Sequence, residues 1–173
     1  AFENATDTDV VAFDKTGTLT TGRMTLVDTK SVDGTNGCLS RAAAIEQFSD
    51  HPVADAIVGA GRGDNHEVTD FTSYPGDGVS AIVDDEQVIV GRRSLFEERG
   101  WKVGTDLDER YRKARDAGQI PALVGWDGRA RGVLVAGDDP REGWEDVVTD
   151  LAESGREVVV ITGDEERAAD TYA

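Results

Sequence analysis

Residues Val10-Val11-Ala12-Phe13 form a run of four apolar side chains that stops on Asp14. The run is too short for a helix and does not alternate with polar residues, so it reads as a buried strand with polar chemistry at its carboxyl end. A similar run, Glu157-Val158-Val159-Val160-Ile161, lies near the other end of the chain and leads into Thr162-Gly163-Asp164. Before it, Trp144 to Ser154 carries apolar residues at helical spacing, and Gly155 is placed to stop that helix. A third buried-strand candidate, Gly132-Val133-Leu134-Val135-Ala136, ends near Asp138 and Asp139. These pieces predict a parallel α/β sheet, in which ligands bind at the carboxyl ends of strands.

The middle of the chain has a different rhythm. Met24–Val32 alternates like a strand, and Cys38–Ala60 reads as helix interrupted at His51-Pro52, with Pro52 suited to the first turn of a second helix. Val68–Tyr74, Ser80–Val83, Val88–Val90 and Ile120–Trp126 read as strands, with turns at Gly76-Asp77-Gly78, Asp84-Asp85 and Asp127-Gly128. Ser94–Arg99 and Leu107–Ala117 read as helices stopped by Gly100 and Gly118. No βαβ alternation runs through this part. The expectation is an α/β domain built from residues 1–22 and 132–173, split by an α+β insert over residues 23–131.

Charge narrows the partners. Lys and Arg total 18 against 35 Asp and Glu, a net charge of −17, which excludes the clustered cations of a nucleic-acid binder. The acid is spread along the chain, and the only lysines are Lys15, Lys30, Lys102 and Lys113. Such a surface suits a protein that stays soluble at high salt, where repulsion is screened. A halophilic source is therefore expected, and dialysis into low salt should unfold the chain; full stability there would refute it. The single cysteine, Cys38, allows no internal disulfide and reads as a packing residue; His66 reads as exposed and Arg62-Gly63-Asp64 as a loop. No apolar run approaches the ~20 residues of a membrane span, so no direct membrane contact by this segment is expected.

The most informative segment is Asp14-Lys15-Thr16-Gly17-Thr18-Leu19-Thr20. A carboxylate at a strand end can attack the γ-phosphorus of ATP and form an acyl phosphate. Lys15 adds positive charge, Gly17 lets backbone amides turn toward phosphate oxygens, and Thr16 and Thr18 offer hydroxyls. This DKTGTLT string resembles the signature of the P-type ATPases, a branch of the haloacid dehalogenase superfamily. Asp138-Asp139-Pro140-Arg141 resembles that family's D-x-x-R element, and Thr162-Gly163-Asp164 its TGD element. The resemblance implies that Asp14 is the phosphorylated nucleophile, that Lys15, Thr16 and Thr162 serve catalysis, and that Asp14 and Thr16 hold Mg²⁺. Phosphatases of the superfamily usually carry a second Asp where this chain has Thr16. Thr16 cannot act as a general base at neutral pH, so an aspartyl phosphate here is expected to be long-lived.

A second resemblance lies in the insert. Ser49-Asp50-His51-Pro52 is similar to the Ser-x-His-Pro motif of heavy-metal pumps, with Glu46 five residues before His51. Gly76-Asp77-Gly78-Val79 is similar to their G-x-G-V element, and Val90-Gly91 to a later V-G element. The implied ATP-binding residues are Glu46, His51, Gly76, Gly78, Val79 and Gly91. Glu46 can accept from the exocyclic amine of adenine, and His51 can hydrogen-bond or stack on the purine. The family often has Asn after the V-G glycine; here that residue is Arg92, which can contact phosphate or pair with surface acid. No Walker-type loop is present.

The chain is thus expected to be the ATP-binding and phosphorylation segment of a copper or zinc/cadmium type pump, on the cytoplasmic face of the cell membrane. Its expected partners are ATP, Mg²⁺ and the actuator domain and membrane helices of the parent. A soluble phosphatase and a non-catalytic nucleotide-binding fragment are the alternatives. The family's Mg²⁺-binding Gly-Asp-Gly-x-Asn-Asp segment would lie beyond Ala173, so weak hydrolysis or none is expected of this segment alone.

Overall fold

The computed structural model describes residues 9–14, 18–32, 34–61, 65–141 and 143–161. Lys15, Thr16, Gly17, the Arg62-Gly63-Asp64 loop and the Thr162-Gly163-Asp164 element lie outside the described residues. The strands are β1 (Val10–Asp14), β2 (Thr20–Ser31), β3 (Val68–Tyr74), β4 (Gly78–Val83), β5 (Glu86–Gly91), β6 (Ile120–Trp126), β7 (Arg129–Pro140) and β8 (Glu157–Ile161). The helices are α1 (Thr35–Glu46), α2 (Pro52–Ala60), α3 (Arg93–Glu98), α4 (Thr105–Asp116) and α5 (Trp144–Glu153). They group into two compact units, one from the chain up to Arg23 and from Asp138 onward, the other Met24–Gly137.

In the first unit β1 and β8 pair in parallel, with Val10 opposite Glu157 and Asp14 opposite Ile161. The helix α5 leads into β8 and packs against it, and Gly155 at φ 83° ends the helix. The two strands were expected to be buried on both faces. Among the described residues they are half covered: Val10, Val159 and Ile161 are exposed. The helix against β8 is α5, and none of its side chains is buried.

The second unit is built on a six-stranded sheet in the order β2-β7-β6-β5-β4-β3. Gly132–Ala136, expected as a strand of the parallel sheet, belongs here instead: β7 pairs antiparallel with β6, Ala122 opposite Leu134 and Leu123 opposite Val133. The physical cause is local. Asp127 and Gly128 both have positive φ, 57° and 71°, which matches the two-residue turns that join antiparallel neighbours. The run looked like a parallel strand because both its faces are covered. Leu134 and Ala136 enter a core with Ile45, Val53 and Ile57 of α1 and α2. Val133 and Val135 enter a second core with Phe96, Leu107 and Tyr111 of α3 and α4. Each such fully buried aliphatic side chain contributes about 1.5–3 kcal/mol. The division between the two units falls within β7, after Gly137, where residue 131 was expected.

Two minor expectations resolve differently. Cys38 is 1% exposed and packs in the α1/α2 core, as a packing residue would. His66 is not exposed; it bridges Ser40 Oγ (2.7 Å from Nε2) on α1 and Asp84 Oδ2 (2.5 Å from Nδ1) in the β4–β5 turn. The hydrogen bond from His66 also holds the Asp84 carboxyl below its ordinary value. Serine, histidine and aspartate in this order resemble a hydrolytic triad. Ser40, however, sits within α1 and is 8% exposed, so the three act as a clamp between helix, loop and turn.

Candidate functional sites

Asp14 is the last residue of β1 and is exposed, which puts its carboxylate at the carboxyl end of a parallel strand pair. The chain leaving this segment is anchored by the D-x-x-R element. The Thr20 hydroxyl, fully buried, donates to the Asp138 carboxylate. Arg141 donates from Nε to the Thr20 carbonyl (3.0 Å) and from its backbone N–H to the Leu19 carbonyl (2.8 Å). The sequence pattern thus corresponds to a physical clasp on the exit of the Asp14 segment. A magnesium ion is commonly held by one or two carboxylates together with substrate phosphates. The exposed Asp14 fits that sparse set, and no cluster of three or more His, Cys, Asp or Glu is gathered among the described residues.

The second site begins where α1 ends. Glu46 is the last residue of α1 and is 7% exposed, and burial pushes its carboxyl up from 4.5 to about 7, against the opposing pull of a hydrogen bond from Ser49. The Ser49 backbone N–H also donates to the Glu46 carbonyl at 2.9 Å, which closes the helix end into the linker. His51 caps α2: its Nδ1 accepts from the Val53 N–H at 3.2 Å, and Pro52 occupies the first turn. That bond leaves Nδ1 unprotonated and engaged, so the ring presents an Nε2–H donor. Between Glu46 and His51, the exposed Phe48 ring lies 5.6 Å from Phe71 of β3. Ser49 as a partner for Glu46, and the Phe48–Phe71 pair, were not anticipated; the only signal for the first was its place in the Ser-x-His-Pro string.

The glycine elements come together in the sheet. Gly78 pairs with Gly91 across β4 and β5, and Val79 with Val90. A Cβ on Gly78 would lie 2.6 Å from Gly91 Cα, and one on Gly91 would lie 2.8 Å from Gly78 Cα. Gly78 and Gly91 therefore face each other's backbone. Gly76 is different: φ is 83° and nothing stands within 4 Å of where its Cβ would be, so its space is open to a ligand. Val79 is 4% exposed and lies in the same core as Ile45 of α1 and Val53 of α2. Asp77 between the glycines accepts from Ser94 Oγ at 2.7 Å, a contact the sequence did not signal.

The dual role of His51 is separable. His51→Ala removes the cap and is expected to cost about 1 kcal/mol, whereas His51→Asn replaces the Nδ1 acceptor with an amide oxygen and loses only the imidazole. Urea unfolding of both variants checks this; equal losses would show that the capping bond contributes nothing.

Comparison with known proteins follows the same lines. A family model described as haloacid dehalogenase-like hydrolase matches residues 8–173. A copper-exporting P-type ATPase of Staphylococcus epidermidis is 30% identical over 174 residues, which is 99% of this chain and 22% of that protein. The crystal structure of a zinc-transporting PIB-type ATPase in its E2.Pi state superposes with a TM-score of 0.80 at 30% identity, over 96% of this chain and 27% of that one. The N-domain of a copper-transporting P-type ATPase superposes with a TM-score of 0.58 at 25% identity, over 66% of this chain and 99% of that domain. The chain spans about a fifth of the length of the curated relatives it matches.

Proposed function

Since the chain belongs to the haloacid dehalogenase-like hydrolase family, we propose that it is the cytoplasmic ATP-binding and phosphorylation segment of a heavy-metal-transporting P-type ATPase, of the copper or zinc/cadmium class. The observation that carries this reading is the exposed Asp14 carboxylate at the carboxyl end of β1, first residue of the DKTGTLT string. The unit formed by the chain ends is the phosphorylation domain. The Met24–Gly137 unit is the nucleotide-binding domain, a role supported by the near-complete cover of an isolated N-domain.

In this reading an Asp14 carboxylate oxygen forms a bond to the γ-phosphorus of ATP as the bond from phosphorus to the ADP oxygen breaks, leaving an aspartyl phosphate and ADP. Asp14 and Thr16 would hold Mg²⁺, which when bound would neutralise charge on the phosphate. Lys15 and Thr162 provide further positive charge and a hydroxyl to the phosphoryl oxygens. Thr16, unlike a second carboxylate, provides no base for rapid hydrolysis. Glu46 and the His51 Nε2–H hold the adenine. The remaining domains and membrane helices of the parent are the partners; no helix among the described residues is long and apolar enough to cross a membrane.

The test is phosphate labelling of the full-length parent from γ-labelled ATP. An acid-stable, hydroxylamine-sensitive label should form and should vanish in Asp14→Asn. Labelling that persists in Asp14→Asn would refute the assignment, and fast turnover of small phosphate esters would favour a phosphatase.

A further inference from the structure

The turn from Tyr74 to Gly78 is gripped at both ends by α3. The Asp77 N–H donates to the Tyr74 carbonyl at 2.9 Å and closes the turn, and the Asp77 carbonyl accepts from the Arg92 N–H at 2.7 Å. Two side chains of the helix add to this. Ser94, in its first turn, donates from Oγ to the Asp77 carboxylate at 2.7 Å, across 17 residues of chain. Arg99, at its other end, lays its guanidinium over the Tyr74 ring, 4.5 Å from the centroid. The helix is rooted in its turn: Leu95 and Phe96 are buried in the core that holds Ile89 and Val133. Its six residues are too few to hold a helix by their own hydrogen bonds, so that core is what fixes the Ser94 hydroxyl in place. The turn needs such a post. Gly76 and Gly78 have φ of 83° and 143°, and glycine leaves the backbone many other conformations.

We propose that Ser94 and Asp77 are positioning residues of the nucleotide site: the bond between them holds the Gly76–Gly78 turn in the conformation that receives the ligand. The inference rests on the reading of this turn as part of an ATP site and adds what keeps the turn in shape. Neither side chain contacts the ligand in this role. Ordering a glycine turn at the moment of binding costs conformational entropy, and a turn already tied to α3 binds without that cost. A hydroxyl on a carboxylate makes a charge-assisted bond, stronger than one between neutral groups, so a single pair suffices. A second effect has the same sign. An aspartate within a turn readily bonds the N–H groups of its own turn. With Ser94 as its partner, Asp77 leaves those amides to the ligand.

The experiment is calorimetric titration of the chain with ATP, for the native sequence, Ser94→Ala, Asp77→Ala, the double variant and Ser94→Thr, at a temperature where urea unfolding shows all of them folded. Each alanine should weaken ATP by about three- to tenfold. The double variant should lose no more than either alone, because the two substitutions remove one bond. Ser94→Thr keeps the hydroxyl and should bind within about twofold of the native chain. Hydrogen exchange at the Asp77 and Arg92 amides should quicken in the alanine variants and slow again when ATP is bound. A lowered urea midpoint with ATP affinity unchanged in both alanine variants would overturn the proposal, since the bond would then serve the fold alone. Losses that multiply in the double variant would overturn it too, since the side chains would be acting separately. Failure of the native chain to bind ATP would instead bring down the nucleotide reading, and the positioning role with it.

Discussion

Glu46→Gln is expected to make the protein more stable at pH 8, by up to about 3 kcal/mol, while weakening its hold on nucleotide. Burial raises the Glu46 carboxyl from 4.5 to about 7. The folded protein therefore binds a proton that the unfolded chain has already released, over the window from about pH 4.5 to about pH 7. Stability falls as pH rises through that window, because the unfolded state binds fewer protons there. Below pH 4.5 both states hold a neutral carboxyl and the penalty vanishes; above pH 7 it is complete. Glutamine keeps the shape and a carbonyl oxygen for the Ser49 hydroxyl, but it has no charge to desolvate. Urea midpoints measured from pH 4.5 to pH 8 should show the gap between variant and native protein opening with pH. A gap that does not depend on pH would mean that no buried carboxyl titrates there. In the proposed adenine site the same substitution replaces a charged acceptor with a neutral one, and about a tenfold loss of ATP affinity is expected. A group that destabilises the fold and strengthens the ligand is the usual signature of a site and not of a core.

The second large effect concerns the paired glycines. Gly78→Ala is expected to destabilise by about 3 kcal/mol or more, enough to leave a small domain largely unfolded. Gly78 has φ 143°, and its missing Cβ would run into the backbone of Val90 and Gly91. Neither obstacle is the tip of a flexible side chain. Relief requires β4 and β5 to separate, and their pairing lies inside the sheet, with Val79 and Val90 buried beside it. Gly76→Ala should cost only about 1–2 kcal/mol, the conformational penalty of positive φ, since nothing stands near its Cβ. Denaturation of the two variants side by side decides the matter. Equal, small losses would mean that β4 and β5 are not in this close register, and that Gly78 owes its place to the ligand alone.

Much of the layout was legible because it is written locally. The helix break at His51-Pro52, the hairpin at Asp84-Asp85 and the stop at Gly155 are set by neighbouring residues, and each lies where its turn or cap chemistry places it, whereas the strand expected from Met24 already begins at Thr20. Glu46 and His51 could be named from their spacing. That Glu46 is a buried acid, and that one nitrogen of the His51 ring is given to the helix, could not be. Those properties depend on Ser49 and the α2 backbone closing over the end of α1. His66 was misread for the same reason: its partners, Ser40 and Asp84, are brought to it by the fold.

The sequence by itself determined an apolar strand ending on Asp14, a signature string after it, and a long insert with its own turns. These follow from apolar periodicity and from the dihedral limits of glycine and proline, which act over a few residues. Only the tertiary structure decided which sheet takes Gly132–Ala136, because an apolar run records that both its faces are covered and not what covers them. It likewise decided that Gly78 and Gly91 make room for each other. Packing and charge pairing depend on residues far apart in the chain, and their partners are fixed only when the fold closes.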